Sequence, residues 1–216
     1  MYAFIKIWLR IALQFYCRNV TIEMNPTIKG KPAILASNHP NSFFDAIIIA
    51  AHYPEQIHFL ARGDAFNKPL AAWILRKLNL IPIYRLEEGK ENLGNNEQSF
   101  AACMEVFKNG GTVLIFSEGL SAHEWKLRPL KKGTARLAYL AWEKNNVDNL
   151  VVQPIAINYT SFTSIPKDIT VNFANPFYKK QFELNNEAVF YNHFNDLLKD
   201  RIESKMLLKE DNNDIL

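Results

Sequence analysis

Cysteine is scarce in this chain of 216 residues, with only Cys17 and Cys103 present. The two cysteines lack the spacing of metal ligands, and we interpret them as reduced, half-buried thiols of a cytosolic protein. A disulfide between them stays the alternative. His52 and His58, taken with the other histidines and acids, also lack a zinc-ligand spacing. The sequence therefore predicts no metal site.

An excess of one charge and long apolar runs are also missing. The chain has 25 basic and 22 acidic residues, a formal net charge of +3, whereas nucleic-acid-binding proteins are usually more basic, so we expect no nucleic-acid partner. No apolar run approaches the roughly 20 residues that cross a bilayer, and no small-residue cleavage site marks a signal peptide. Internal repeats, low-complexity segments and linkers are absent from the sequence, so we expect one domain.

The first 19 residues predict an amphipathic helix. Lys6, Arg10, Gln14 and Arg18 recur every four residues and share one slowly drifting helix face, while apolar and aromatic residues fill the rest. The wide apolar arc favours an anchor in the plane of a membrane surface, with aromatic residues at the acyl boundary and basic residues near the headgroups. An ordinary helix packed on the domain is the alternative. We expect a peripheral or monotopic protein on the cytoplasmic face of a membrane.

Strand and helix patterns alternate through the rest of the chain. This order predicts a single α/β domain over residues 20–182, with a mostly parallel central sheet flanked by helices, and a C-terminal helix with a charged tail over residues 183–216. Ligands of such sheets bind beyond the carboxyl ends of strands, where unusual polar segments follow Ser37, Ala61 and Phe116. The predicted strands cover residues 20–24, 33–37, 57–61, 80–84, 112–117, 150–158 and 169–174; the predicted helices cover 43–53, 68–80, 97–111, 131–146 and 185–209, with a polar loop over 88–96.

One polar segment, "NHPNSFFDA", has residues suited to catalysis. His39 follows a buried strand, and Asp45 lies six positions later, near the start of the next helix. A turn that folds the carboxylate back onto one ring nitrogen would fix the tautomer and leave the other nitrogen as a general base. In the alternative interpretation, Asn38 or Ser42 caps the helix and Asp45 only complements its dipole.

This segment resembles the signature block of the glycerolipid acyltransferases, the 1-acylglycerol-3-phosphate acyltransferase family, in which four residues separate a histidine from an aspartate. Here five residues separate His39 from Asp45, a spacing that some glycerol-3-phosphate acyltransferase relatives share. The extra residue must be accommodated in the turn, near Asn41 or Ser42.

Three later segments resemble the other blocks of the family, in the same order. Arg62 matches a basic position linked to the acceptor phosphate, in the segment "ARGDAFNKPLAAWILRKLNLIPIYR". Glu118 and Gly119 match the third block, "IFSEGLS", in which Ser121 stands where the family has an arginine expected to contact phosphate. Pro154 matches the fourth block, "VVQPIAINY". The likeness spans most of the predicted domain.

The resemblance implies acyl transfer from a thioester to a hydroxyl group in phospholipid biosynthesis. His39 would take the hydroxyl proton while Asp45 orients its ring. The thioester is already activated, and no Gly-x-Ser-x-Gly nucleophile motif occurs in the sequence. The implied acceptor is a lysophospholipid, 1-acylglycerol-3-phosphate, and the implied co-substrate is acyl-CoA or acyl-ACP, without a further cofactor.

Other functions stay open. The same chemistry could act on glycerol-3-phosphate or a lyso-aminolipid. A lipid-binding membrane module would bind vesicles without turnover, and a thioesterase or lipase would use His39 with water.

Acceptor binding also requires positive charge. Lys131 and Lys132 lie near the start of a predicted helix, where they oppose its dipole, and a bound phosphate would relieve that conflict. We expect them to replace part of the missing arginine; a solvated basic face is the alternative. Glu118 would hold Arg62 or an acceptor hydroxyl, unless Glu118 and Gly119 form only a strand-end turn.

Overall fold

One eight-stranded sheet organises the structure, a computed structural model that describes residues 2–24, 28, 30–84 and 93–207. The strands are β1 (Cys17–Glu23), β2 (Ala33–Ser37), β3 (Ile57–Arg62), β4 (Leu80–Ile83), β5 (Thr112–Phe116), β6 (Val151–Tyr159), β7 (Lys167–Phe173) and β8 (Phe177–Tyr178). The helices are α1 (Tyr2–Tyr16), α2 (Phe43–His52), α3 (Pro69–Lys77), α4 (Leu93–Lys108), α5 (Gly133–Tyr139), which continues as a π-helical turn (Leu140–Lys144), and α6 (Glu187–Glu203).

The strand order is β1-β7-β6-β2-β5-β3-β4, with β8 paired to β6. The pairs β1/β7, β6/β2, β2/β5, β5/β3 and β3/β4 are parallel, while β7 and β8 run antiparallel to β6. β2, β5 and β6 are buried along almost their whole length, as expected for strands covered by helices on both faces. The predicted α/β fold with a mostly parallel central sheet is confirmed.

Helices cover both faces of this sheet. α1 and α2 pack on one face, in a cluster that includes Leu13, Leu35 and Ile48, whereas α4, α5 and α6 pack on the other face, around Phe107 and Trp142. Because crossovers between parallel strands are right-handed, α3 lies on the same face as α2. The chain leaves β2 toward one face and β5 toward the other. The switch point of the sheet, where such folds bind ligands, therefore lies between these adjacent strands.

The N-terminal helix is shorter than predicted. α1 ends at Tyr16, and Cys17 already belongs to β1, whereas the sequence pattern placed residues 1–19 in the helix. Strand pairing explains the difference, because the β-branched residues 20–22 pair in register with β7 and favour extended backbone.

The orientation of α1 also differs from the prediction. Lys6 and Arg10 reach from α1 to the end of α2: Lys6 donates to the carbonyl of Tyr53, and Arg10 Nε donates to the carbonyl of Ala51 at 2.6 Å. These two cations thus satisfy backbone carbonyls at the C-terminal end of α2, where the helix dipole favours positive charge. The outward face of α1 is apolar, with exposed fractions of 42–83% for Phe4, Ile7, Trp8, Ile11 and Phe15.

Several further boundaries differ, and the two largest differences are at the start of α4 and the end of α6. α4 begins at Leu93, inside the segment predicted as a polar loop, and α6 ends at Glu203, before the predicted residue 209. Residues 88–92 of the predicted loop, the last two residues of the predicted C-terminal helix and the charged tail lie outside the described residues. Within the part of the chain that the structure describes, no helix combines the length and apolar character needed to cross a membrane.

Both cysteines are free and buried, more deeply than the sequence suggested. Burial raises the pKa of Cys103 to about 12, which makes its thiol a poor nucleophile at neutral pH. Among the described residues, no group of three or more His, Cys, Asp and Glu side chains is arranged to hold a metal ion.

Candidate active site

His39 and Asp45 meet at the switch point of the sheet. β2 ends at Ser37, so His39 lies in the loop beyond its carboxyl end, and Asp45 lies in the first turn of α2. His39 Nδ1 and Asp45 Oδ2 are 2.9 Å apart. The Asp45 carboxylate is fully buried, whereas the His39 side chain is 17% exposed. The structure therefore brings together the two residues that the sequence pairs as base and orienting acid.

Three donors converge on the Asp45 carboxylate. Besides the His39 ring, the backbone N–H of Asn41 donates to Oδ2 at 2.8 Å, and the Tyr159 hydroxyl donates to Oδ1 at 2.5 Å. Burial and the negative charge of Asp45 raise the pKa of Tyr159, so the phenol keeps its proton and remains a donor. Together these contacts satisfy both oxygens of a buried acid, which would otherwise be costly.

Sequence reasoning missed Tyr159. It ends β6, the strand that pairs with β2 on the side away from β5, so its hydroxyl reaches the acid across the sheet edge. The signal was available as the last residue of "VVQPIAINY", but its use required knowing that β6 lies beside β2. Pairings between distant segments are not visible in local patterns.

The His39 ring is also held by stacking. It lies parallel to the Phe116 ring, with centroids 3.8 Å apart and an interplanar angle of 9°. Because Asp45 accepts from Nδ1–H, the other ring nitrogen, Nε2, carries the lone pair. A ring fixed on one face by Phe116 and at one nitrogen by Asp45 can accept a proton at Nε2 without reorienting.

The turn before α2 absorbs the extra residue of the His-Asp spacing. Ser42 has φ 51° and ψ −135°, a conformation that favours glycine, and the N–H of Phe44 donates to the carbonyl of Asn41 at 3.2 Å. The capping alternative is wrong in detail. Ser42 makes no side-chain cap hydrogen bond, and the Asn38 amide instead bonds both the N–H and the carbonyl of Ile157 in β6.

The loop after β5 closes over the loop after β2. The N–H of Ser117 donates to the carbonyl of Ser37 at 2.9 Å, and the N–H of Ala122 donates to the carbonyl of His39 at 3.2 Å. Ser121 Oγ accepts from the N–H of Ser42 at 2.7 Å. The serine that replaces the family's arginine thus helps to hold the turn that carries the histidine.

Glu118 lies directly beside His39. It is only 5% exposed, and its Oε1 accepts from the backbone N–H of His39 at 3.2 Å. Burial raises the pKa of Glu118 to about 7, against smaller lowering effects from the His39 N–H and the Arg128 guanidinium. Near neutral pH this carboxyl is therefore poised between accepting and donating a hydrogen bond.

Gly119 and the two lysines lie next to this acid. Gly119 has φ 74°, and a Cβ at this position would lie 3.0 Å from Lys131 Cγ, so the turn requires glycine. The N–H of Lys131 donates to the carbonyl of Ser117 at 2.8 Å, and Lys132 immediately precedes α5. Both lysine side chains are exposed. The structure thus brings the Lys131 stem against the turn at Gly119, and the acceptor-binding role of the two lysines stays a prediction.

Arg62 ends β3, which follows β5 in the sheet, so its backbone lies at the same carboxyl-end edge as His39. Its exposed guanidinium pairs with Asp64. The contact between Arg62 and Glu118 that the sequence suggested stays a prediction.

Comparisons with known proteins found one matching family model and several similar proteins. A family model described as "Acyltransferase" matches residues 18–158. Three similar proteins are the chloroplastic 1-acyl-sn-glycerol-3-phosphate acyltransferases BAT2 of Brassica napus (25% identical, covering 62% of this chain and 37% of that protein) and LPAT1 of Arabidopsis thaliana (26%, 62% and 36%), and the lyso-ornithine lipid O-acyltransferase of Brucella abortus strain 2308 (25%, 61% and 46%). The matched region thus spans less than half the length of each relative.

The fold also has a solved counterpart. The crystal structure of PlsC, the 1-acyl-sn-glycerophosphate acyltransferase of Thermotoga maritima, superposes with a TM-score of 0.67. The alignment covers 97% of this chain and 81% of that chain, at 19% identity. At this identity the likeness concerns the fold.

Proposed function

The chain belongs to the acyltransferase family, and from that premise we propose that it transfers a fatty acyl group from a thioester to the hydroxyl of a lysophospholipid. The observation that carries the proposal is the triad of contacts at the switch point, in which a buried Asp45, itself held by Tyr159, orients a partly exposed His39. A histidine oriented in this way is a general base with one nitrogen free toward solvent.

In the proposed reaction, His39 Nε2 removes the proton from the acceptor hydroxyl. The hydroxyl oxygen attacks the thioester carbonyl, a new C–O ester bond forms, and the C–S bond breaks. The proton on His39 then passes to the departing thiolate. Asp45 stabilises the imidazolium between these two steps, because it accepts from Nδ1–H at 2.9 Å. No covalent acyl-enzyme is required.

The acceptor phosphate has cationic partners at the same sheet edge. Arg62, Lys131 and Lys132 are proposed to bind it, with the exposed lysines standing in for the arginine replaced by Ser121. Gly119 supports this role by letting the Lys131 stem pack against the turn. Glu118, with a pKa near 7, is proposed to hydrogen-bond the acceptor next to His39.

The test is an acyl-transfer assay with purified protein, 1-acylglycerol-3-phosphate and either acyl-CoA or acyl-ACP, which also identifies the donor. Released thiol and labelled diacyl product are measured together. We expect His39→Ala to lower kcat by about 10²–10⁴-fold, while His193→Ala, an exposed histidine on α6, retains activity.

If His39→Ala and wild type form equal amounts of product, His39 is not the general base. Thiol release without diacyl product, and with free fatty acid, would identify a thioesterase instead. Vesicle binding without any thiol release would identify a lipid-binding module.

A second acceptor class is favoured by two observations. The lyso-ornithine lipid O-acyltransferase is 25% identical to this chain, against 25% and 26% for the two plant proteins. Ser121 also stands where the family has an arginine, which removes a cation from the phosphate side of the site. We therefore include a lyso-aminolipid and glycerol-3-phosphate as competing acceptors in the same assay. The acceptor with the highest kcat/KM decides between them.

The outward face of α1 supports a location at a membrane surface. Its five exposed apolar residues lie at helical spacing on the side away from α2, which is the arrangement of an interfacial helix. We propose peripheral or monotopic association with the cytoplasmic face of the membrane, where a lysophospholipid acceptor resides.

A further inference from the structure

The short helix α3 carries an exposed apolar face of its own. Leu70, Trp73 and Ile74 have exposed fractions of 70%, 61% and 43%, and their spacing of three and four residues places them on one side of the helix. Ala72 is the buried residue on this helix. A helix on a soluble surface usually shows the reverse pattern, with its large apolar residues turned to the core.

Exposed apolar residues are unevenly distributed between the two faces of the sheet. The helices on the α1 face expose ten large apolar residues: Phe4, Ile7, Trp8, Ile11, Phe15, Tyr16, Phe43, Leu70, Trp73 and Ile74. Among the described side chains of α4, α5 and α6 on the opposite face, Val189 is the one exposed large apolar residue. This one-sided distribution marks an interaction surface rather than scattered exposure.

Positive charge borders the apolar residues of α3. Lys68, Arg76 and Lys77 are exposed at its two ends, and the helix itself contains no acidic residue. The Lys77 ammonium lies 5.9 Å from the centre of the Trp73 ring. A tryptophan and aliphatic side chains bordered by basic residues match the interface of a bilayer with anionic headgroups.

We propose that α3 is a second bilayer contact, which binds an anionic membrane surface alongside α1. Leu70, Trp73 and Ile74 enter the acyl boundary, and the basic residues at the ends of the helix meet lipid phosphates. α2 lies between α1 and α3, so Phe43 at its start is in contact with the same surface, and the loop that carries His39 opens at the bilayer edge. The proposal concerns lipid binding and does not rest on the transfer chemistry.

Vesicle sedimentation tests this surface. The full chain is mixed with vesicles of phosphatidylcholine alone or of phosphatidylcholine with phosphatidylglycerol. We expect the triple variant Leu70→Ser/Trp73→Ser/Ile74→Ser to weaken partition into the anionic vesicles at least about tenfold. Val189→Ser, with a 60% exposed side chain on the opposite face, should leave partition unchanged. Lys68→Gln/Arg76→Gln/Lys77→Gln should weaken binding to anionic vesicles and remove much of its salt dependence.

A labelled variant tests the depth of insertion independently. Ile74→Cys can be labelled with an environment-sensitive fluorophore, because both native cysteines are buried. We expect its emission to shift to the blue on vesicles, and the emission of labelled Val189→Cys to stay constant.

Unchanged partition of the triple variant, or equal shifts at positions 74 and 189, would overturn the proposal. So would a wild-type dimer that the triple variant dissociates while vesicle binding persists, because the face would then bind a second copy of the chain.

Discussion

Tyr159 is the residue that completes the geometry of the candidate site, although it lies 114 positions from Asp45 in the chain. Its hydroxyl holds the carboxylate oxygen that His39 does not use. Asp45 is therefore fixed from two sides, and the ring it orients cannot turn without breaking a buried hydrogen bond. In the proposed reaction Tyr159 is therefore a positioning residue, which acts only through Asp45.

We expect Tyr159→Phe to lower kcat about tenfold or more with little change in KM, because a hydrogen bond to a charged group is worth about 1.5–3 kcal/mol. Steady-state kinetics at varied acceptor concentration measures kcat and KM separately. The control is Tyr139→Phe, which removes a hydroxyl bonded at 3.3 Å to the Leu184 carbonyl in the opposite helix layer. A matching fall in kcat for the control would attribute the effect to packing instead.

Glu118 gives the folded state a characteristic pH dependence. Burial raises its pKa to about 7 from an ordinary 4.5, so the folded state holds this proton over a range in which the unfolded chain has released it. The free energy of unfolding therefore falls as the pH rises through this window. Glutamine cannot ionise and should remove this contribution.

Urea unfolding at several pH values tests this expectation. Between pH 5 and pH 8, the free energy of unfolding of Glu118→Gln should rise relative to that of wild type by up to about 3 kcal/mol, at about 1.4 kcal/mol per pH unit. Glu124→Gln is the control, since the Glu124 side chain is 53% exposed. If the free energies of unfolding of Glu118→Gln and wild type change in parallel with pH, the pKa of Glu118 is not raised by folding.

The sequence predicted the two residues that local patterns can show. His39 and Asp45 are only six positions apart, so the local turn between them is enough to bring their side chains together. Tyr159, the Phe116 stack on His39, and the contact of Lys131 with Gly119 depend on which strands are neighbours and on how two loops close. That information lies in long-range pairing, which residue spacing does not encode.

At the scale of elements, the turn before α2 shows how the fold accommodates an inserted residue. The longer His-Asp spacing predicted an irregular turn near Asn41 or Ser42, and the structure places the irregularity at Ser42, with φ 51°. A non-glycine residue in this region costs about 1–3 kcal/mol. The cost persists because Asn41 N–H and the His39 ring both bind Asp45 across the turn.

Ser42→Gly should therefore raise the free energy of unfolding by about 1 kcal/mol. The substitution relieves the backbone strain, and the greater conformational entropy of glycine in the unfolded chain offsets part of that gain. Chemical denaturation measures the change. Ser204→Gly, at a position with φ −61°, should be neutral or destabilising. If both variants lose stability equally, the turn at Ser42 is not strained.

α1 shows the limit of periodicity. The four-residue spacing of its basic residues correctly predicted an amphipathic helix, but not which face turns inward. An apolar face packs inward by default, and a membrane anchor was expected to keep its cations near headgroups. Instead Lys6 and Arg10 bind the last carbonyls of α2, which are available only because the two helices are antiparallel neighbours.

At the scale of the whole molecule, the fold class followed from the alternation of strands and helices, while the strand order did not. The antiparallel β6/β7 pairing and the two-residue β8 carry no local signal that distinguishes them from their parallel neighbours. The order nevertheless determines the candidate site, because it places β2, β5 and β6 side by side and so unites His39, Glu118 and Tyr159. It also gathers α1, α2 and α3 on one face.

Under the proposed function, this one-sided architecture makes catalysis depend on where the acceptor is presented. If the α1 face lies on the bilayer, an acceptor held in a vesicle can enter the site only of a protein molecule that is bound to that vesicle. A short-chain acceptor dissolved as monomers can enter the site from solution. The variant Leu70→Ser/Trp73→Ser/Ile74→Ser leaves His39 and its partners untouched. We therefore expect its kcat/KM to fall at least about tenfold on vesicle-embedded acceptor and to match wild type on the dissolved acceptor. Val189→Ser should match wild type on both. A loss of equal size on the two acceptors would mean that the α3 face acts on the site itself rather than by holding the molecule at the surface where its substrate lies.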